Sequence, residues 1–240
     1  MQIIYEDNHL IVVSKTCHEI VQGDKTGDEP LAETLKKLIK ERDQKPGNVF
    51  LGVTHRLDRP TTGVVIFAKT SKALERVNKM FAQGEIHKTY WAIVPNVWND
   101  QKFRNDRERK CLLMPEKEAD LKNWLVRNEK QNRSVAYDRE VPGSKEARLH
   151  YAVIATTDRY ALVEVKLYTG RHHQIRCQLS NIGLPIKGDL KYGSPRSNPD
   201  GGISLHSRMA NFIHPVSKED TTIIAPVPDD NLWKALAQQL

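Results

Sequence analysis

A mixed α/β fold is what this sequence predicts: one mainly antiparallel, mixed sheet with helices packed against it. Three observations predict it. Strand-like runs outnumber segments of helical period. Most of those runs are joined by hairpin-length polar turns, and the helical segments carry start or stop signals. The 240 residues suffice for a substantial core, and no internal repeat or low-complexity tract divides them, so a single domain across 1–240 is expected.

The chain reads as a strand from its first residues, 1–7, and again at 10–15. Asp28-Glu29-Pro30 opens a helix, with Pro30 early, where its missing N–H costs little. Leu31, Leu35, Leu38 and Ile39 follow at helical spacing and define a core face; 41–48 is a charged loop. Apolar runs at 49–53 and 64–68 flank a polar turn, the signature of a hairpin. Thr70-Ser71 is an N-cap signal. Leu74, Val77 and Phe81 share a helical face with Ala73 and Met80 beside them, and Gly84 stops the helix. A further strand starts at Lys88.

Residues 96–143 are the least regular part, a basic insertion in which lysines and arginines from Lys102 to Arg133 are interleaved with acids. Two readings stand side by side: a solvated, partly disordered insertion, and a basic flap over a polyanion with Trp124 stacking or packing. Leu149, Tyr151 and Val153 alternate with Arg148, His150 and Ala152, and Ala161, Val163, Val165 and Leu167 with Glu164 and Lys166, a second hairpin turning at 157–159. A helix begins after Thr169-Gly170, with Arg171, His172 and His173 in its first turn and Ile175 and Leu179 facing the core. The stretch 194–202 is a loop, 203–213 and 221–225 are strands, and Asp229-Asp230 caps a last helix lined by Leu232, Leu236 and Leu240.

Hydrophobic residues make up 39% and charged residues 28%, as in soluble globular proteins, and 37 Lys+Arg against 30 Asp+Glu gives +7, a modest bias towards polyanionic partners. Three widely spaced cysteines suggest no disulfide framework and point to a reducing cytoplasm. No apolar run reaches a membrane span, and the first residues lack the basic start and apolar core of a signal peptide. His173 and Cys177 stand four apart, but two ligands without a paired Cys-x-x-Cys make no zinc site, and no phosphate-binding Gly loop or Ser nucleophile elbow occurs.

The stretch that organises the chemistry is His55-Arg56-Leu57-Asp58-Arg59-Pro60-Thr61-Thr62-Gly63. It sets one carboxylate between two arginines on a turn beside core strands, and such cations favour the ionised carboxylate. Residue types alone also allow a salt-bridged hairpin turn. Two further segments extend the pattern: Lys88-Thr89-Tyr90 at a strand start, and Thr169-Gly170-Arg171-His172-His173-Gln174-Ile175-Arg176. In this order the three segments resemble the motif set of RluA-type pseudouridine synthases, and the likeness runs from about Met1 to about Pro226. It is supported by Gly183-Leu184-Pro185-Ile186-Lys187-Gly188-Asp189, Lys191-Tyr192-Gly193 and Leu205-His206.

The resemblance implies an isomerase that breaks the bond from ribose to the uracil nitrogen, turns the base and forms a carbon–carbon bond. Nothing is oxidised and no group leaves, so neither cofactor nor metal is expected. It assigns the catalytic aspartate to Asp58, the base-stacking tyrosine to Tyr90 and the arginine that pairs with the aspartate to Arg176. It places Arg56 in the gap left by a flipped uridine, and Arg171 and His173 as RNA or framework contacts. Lys15-Thr16-Cys17-His18 departs from the usual Lys-Pro-x-Gly, and Gln178 stands where a His is common, which bears on RNA contact or target choice. The expected partner is RNA, leaning to large-subunit ribosomal RNA with tRNA as the alternative. The protein is expected to be a cytoplasmic monomer with no accessory N-terminal RNA-binding domain. Competing readings are a non-catalytic RNA-binding or ribosome-assembly factor on the same fold and a nucleoside N-glycoside hydrolase; intact Asp58, Tyr90 and Arg176 favour the isomerase.

Overall fold

The computed structural model describes residues 1–23, 27–99 and 115–240. The described chain divides into two compact units. One comprises Met1–Lys88 with Ser207–Pro226, the other Thr89–His206 with Val227–Leu240.

In the first unit, β1 (Gln2–Glu6), β2 (Leu10–Lys15), β4 (Thr62–Ala68), β10 (Leu205–Ile213) and β11 (Asp220–Ile224) lie side by side in that order. The two-residue β3 (Gly52–Val53) pairs with the end of β4. The runs Leu-Ile-Val-Val and Val-Val-Ile-Phe-Ala do not alternate with polar residues because both faces of β2 and β4 are covered. Helix α1 (Leu31–Arg42) lays Leu31, Leu35 and Ile39 on Ile11, Val13, Val65 and Phe67. Helix α2 (Ser71–Gln83) lays Ala73, Val77 and Met80 on Leu10, Val12, Val64 and Ile66. Each such side chain contributes roughly 1.5–3 kcal/mol by leaving water. The caps of α2 are those expected: Thr70 Oγ1 accepts from the Ala73 amide at 3.1 Å, and Gly84 takes the left-handed C-cap with φ 73°. Pro30 is itself the N-cap of α1 rather than a residue of its first turn.

In the second unit the antiparallel order is β5 (His87–Pro95), β9 (Tyr160–Leu167), β8 (Lys145–Thr156), β6 (Glu118–Asn128) and β7 (Arg133–Tyr137). Helix α3 (Gln174–Asn181) covers one face through Cys177, which joins Leu125 and Ala147. Helix α4 (Asn231–Ala237) covers part of the other through Trp233 and Leu236, packed on Trp91, Ile93 and Leu162.

Four expectations change. The supposedly irregular 96–143 region contains the strands β6 and β7. Its alternation is masked in the sequence because the inward position 123 is a buried asparagine, paired with Gln178 and Asp138. The basic residues at 102, 104, 107, 109 and 110 lie outside the described residues. The 49–53 run forms strand only at its last two residues. The last helix is anchored by Trp233 and Leu236, while Leu240 lies beyond its end and is exposed. The third helix begins at Gln174, so Arg171–His173 form a turn ahead of it, with His173 left-handed at φ 51°. The Gln174 side chain holds that turn: its Oε1 accepts from Thr169 Oγ1 at 2.8 Å and the Arg171 amide at 3.0 Å, and its Nε2 donates to the Arg148 carbonyl at 3.0 Å.

Candidate active site

Asp58 sits in the first unit, on the loop between β3 and β4. Its carbonyl accepts from the Thr61 amide at 3.0 Å, closing the turn expected there. The start of the loop is tied down by Thr54, whose Oγ1 donates to the Ile66 carbonyl at 2.6 Å. His55 Nε2 accepts from the Ile66 amide at 3.1 Å, and its ring packs on Phe81 with centroids 4.8 Å apart. The residue reaches solvent in part but the imidazole is enclosed, and burial, reinforced by Lys88, pushes its pKa well below the usual range. His55 is therefore a neutral acceptor and a structural post, not an acid. The end of the loop is tied down by Gly63. At φ 108°, a Cβ there would stand 2.2 Å from the Ser207 carbonyl oxygen, so only glycine lets β10 approach.

Beneath the loop lies Lys15, only 1% exposed. Its Nζ donates to the carbonyls of Thr16 (2.7 Å), Arg59 (2.7 Å) and Thr61 (2.8 Å), using all three of its protons. Burial pulls its pKa down to about 8, against the opposing pull of Glu19, Cys17 and Asp58. In the sequence Lys15 stands at the end of a strand and the start of an atypical loop, with no local sign of this role. The departure at 16–18 is absorbed by Glu19, whose carboxylate accepts from the Thr16 amide at 2.7 Å and Thr16 Oγ1 at 3.0 Å. Arg59 is ion-paired with Asp28 at 2.6 Å, and Arg56 is exposed.

Tyr90 and Arg176 belong to the second unit. Tyr90 is buried on β5, opposite Val165 of β9. Arg176, buried on α3, holds Asp189 in a two-pronged pair: Nε to Oδ2 at 2.7 Å and Nη2 to Oδ1 at 2.9 Å. Asp189 is 1% exposed, and the Tyr192 ring lies 5.1 Å from the guanidinium. Such a fork locks the plane of the guanidinium as well as compensating its charge. The sequence signal for Asp189 was its place in the Gly183-to-Asp189 segment, but its partner was not legible there.

Two residues of the third motif region, His173 and Gln178, turn inwards. His173 is 8% exposed, with Nδ1 3.0 Å from the Tyr192 hydroxyl and its ring stacked on His172 at 3.8 Å. This is the framework side of the expectation. Gln178 is fully buried. Its Nε2 donates to Asn123 Oδ1 at 2.9 Å and to the Ala147 carbonyl at 3.3 Å, so it joins α3 to β6 and β8. Arg171 stays exposed, its Nε donating to the Glu146 carbonyl at 2.9 Å. Cys177 donates to the Ser134 carbonyl at 3.3 Å, and burial pushes its thiol up to about 11.

With this geometry in place, residues 9–181 match the family model described as RNA pseudouridylate synthase. The chain belongs to that family. The pseudouridine synthase tRNA pseudouridine synthase C of Vibrio vulnificus is 32% identical over 249 aligned positions, covering 100% of this chain and 95% of its own length. Ribosomal large subunit pseudouridine synthase C of Vibrio cholerae is 29% identical, covering 98% of this chain and 68% of its own. In fold, the chain is similar to the structure titled Human RNA Pseudouridylate Synthase Domain Containing 4, with a TM-score of 0.75 at 23% identity and coverage of 100% and 92%. A pseudouridine synthase is an isomerase, so the reading from the motifs stands and the binding-factor and hydrolase readings give way to it. No helix among the described residues is long and apolar enough to cross a membrane.

Proposed function

We propose that this pseudouridine synthase isomerises a uridine in tRNA, as a cytoplasmic monomer formed by one catalytic domain. The observation that favours this RNA is identity. The relatives named tRNA pseudouridine synthase C are 31–32% identical to this chain, and those named for the ribosomal large subunit 28–29%. The sequence by itself leaned to ribosomal RNA, and the higher identity moves the proposal to tRNA.

Asp58 is the carboxylate that acts on the target nucleotide, on a loop stiffened by Lys15, His55 and Gly63. Tyr90 stacks on the uracil and retains it while its bond to ribose is broken. Arg176, oriented by Asp189, is the charge partner of Asp58. Arg56 and Arg171, both exposed, contact the RNA backbone and the space left by the flipped base.

The test has two parts. Pseudouridine mapping of total RNA from cells with and without the protein is expected to lose a signal in tRNA; a loss confined to large-subunit ribosomal RNA overturns the substrate while leaving the enzyme class intact. Asp58→Ala and Asp58→Asn are expected to abolish pseudouridine formation. RNA affinity should stay equal or tighten slightly, because phosphate contacts dominate binding and a carboxylate repels them. Turnover retained by Asp58→Ala removes Asp58 from the chemistry.

A further inference from the structure

The second unit has a sheet face that the isomerase site leaves unused. Along β9, β8, β6 and β7 the inward residues are Val165, Leu149, Leu125 and Ser134, and the residues between them point to the opposite face. At one end of that face α4 lies on Leu162, Ile93 and Trp91. At the other end no helix among the described residues covers it. There Trp124 of β6 stands opposite Tyr137 of β7 and Glu146 of β8, and Lys122 stands opposite Arg148. Tyr168, whose amide donates to the Arg148 carbonyl at 3.1 Å, closes the row. Tyr168 is 58% exposed and Tyr137 40%.

Cations and rings are interleaved: Lys122 Nζ lies 5.0 Å from the Trp124 ring and the Arg148 guanidinium 5.7 Å from that of Tyr168. The acid in this patch, Glu146, is already paired with Lys122 at 3.1 Å. The acids Glu118, Asp120 and Glu164 gather further along the strands, with Lys166 beside Glu164 and His150 beside Glu118 and Asp120. The aromatic end thus sets two cations against one acid and the other end three acids against Lys166 and His150, so a polyanion is favoured at the aromatic end.

We infer that this face of β9, β8, β6 and β7 is a stacking platform for unpaired bases of the RNA. Trp124, Tyr137 and Tyr168 take the base faces, and Lys122 and Arg148 the intervening phosphates. The inference rests on the RNA-modifying reading above and adds a second contact surface to it. An antiparallel sheet carrying two exposed tyrosines and a half-buried tryptophan with cations beside them suits single strands, whose bases are free to stack; a duplex hides those faces. Stacking of this kind tolerates any base, so the platform contributes affinity and orientation, not the choice of uridine.

A short fluorescent oligoadenylate separates this inference from the isomerase reading, since it contains no uridine to convert. Its affinity is expected to fall on the order of tenfold in Trp124→Ala and again in Tyr168→Ala, and to stay near wild type in Trp124→Phe, while a fully paired RNA of equal length loses little in any variant. Tyr168, the more exposed ring, provides a variant whose folding is not at stake. Equal oligoadenylate affinity in wild type and both alanine variants overturns the platform, as does wild-type protein that does not bind the oligomer, which would leave the face to a protein partner. Pseudouridine formation by the wild type is scored separately. If it is present and the platform fails, only this inference falls; if it is absent and the platform holds, only the isomerase reading falls.

Discussion

Two buried cations serve two of the three motif segments, and they are held in opposite ways. Arg176 faces a carboxylate, in a fork fixed at 2.7 and 2.9 Å to Asp189. Lys15 donates to three neutral carbonyls beneath the Asp58 loop. Geometry explains the division of labour. A planar guanidinium with several donors suits one rigid, two-point partner, whereas an ammonium is a compact charge with three rotatable donors that gathers separate strands of backbone around a point. The first arrangement orients a side chain; the second shapes a loop. They should therefore fail differently when broken.

The largest effect is expected at Asp189. Asp189→Ala removes the two-pronged carboxylate from a buried guanidinium, and breaking such a pair costs on the order of 3–5 kcal/mol. Urea denaturation measures this directly, and a loss below about 1 kcal/mol would show that water or another group takes over the charge. Lys15→Met should cost less, on the order of 1–3 kcal/mol. The Arg59 and Thr61 carbonyls lose their donor, but the penalty of burying an ammonium disappears at the same time. Turnover should suffer more than stability in that variant, because the freed carbonyls lie in the turn that follows Asp58. A Lys15→Met enzyme with wild-type turnover would mean that the loop keeps its shape without the post.

The third difference is in pH. Burial holds Lys15 at about 8 in the folded protein against an ordinary 10.5. Below pH 8 the group is charged in both states and its burial penalty is fully present. Between about 8 and 10.5 the folded protein gives up the proton first, the unfolded chain binds more protons, and the stability contributed by this group rises with pH. The stability of wild type minus that of Lys15→Met should thus increase across that window, by about 3 kcal/mol at most, as read from denaturant midpoints. Arginine does not titrate there, so a wild-type minus Asp189→Ala difference should carry no such slope from Arg176. A flat Lys15 difference would place its ordinary pKa within the fold.

What the sequence determined by itself was local. The strands at Leu10–Lys15 and Thr62–Ala68 and the helix from Ser71 to Gln83 were legible because apolar runs and Thr70 and Gly84 act within a few residues of themselves. The three motif segments, and with them the family, were legible for the same reason. What only the tertiary structure decided depends on partners distant in the chain. Lys15 acquires its role from carbonyls at 59 and 61, and Arg176 its orientation from Asp189. Gln178, in the sequence only a departure from a common His, is a buried strut through Asn123 and Ala147. Strand β6 emerges where Asn123 had hidden its alternation, and the row of Trp124, Tyr137 and Tyr168 exists only once cross-strand register brings β6, β7 and the end of β9 to one end of a face. Local propensity is written in neighbouring residues, whereas hydrogen-bond partners and strand register are set by closure over tens of residues, which no short window of sequence contains.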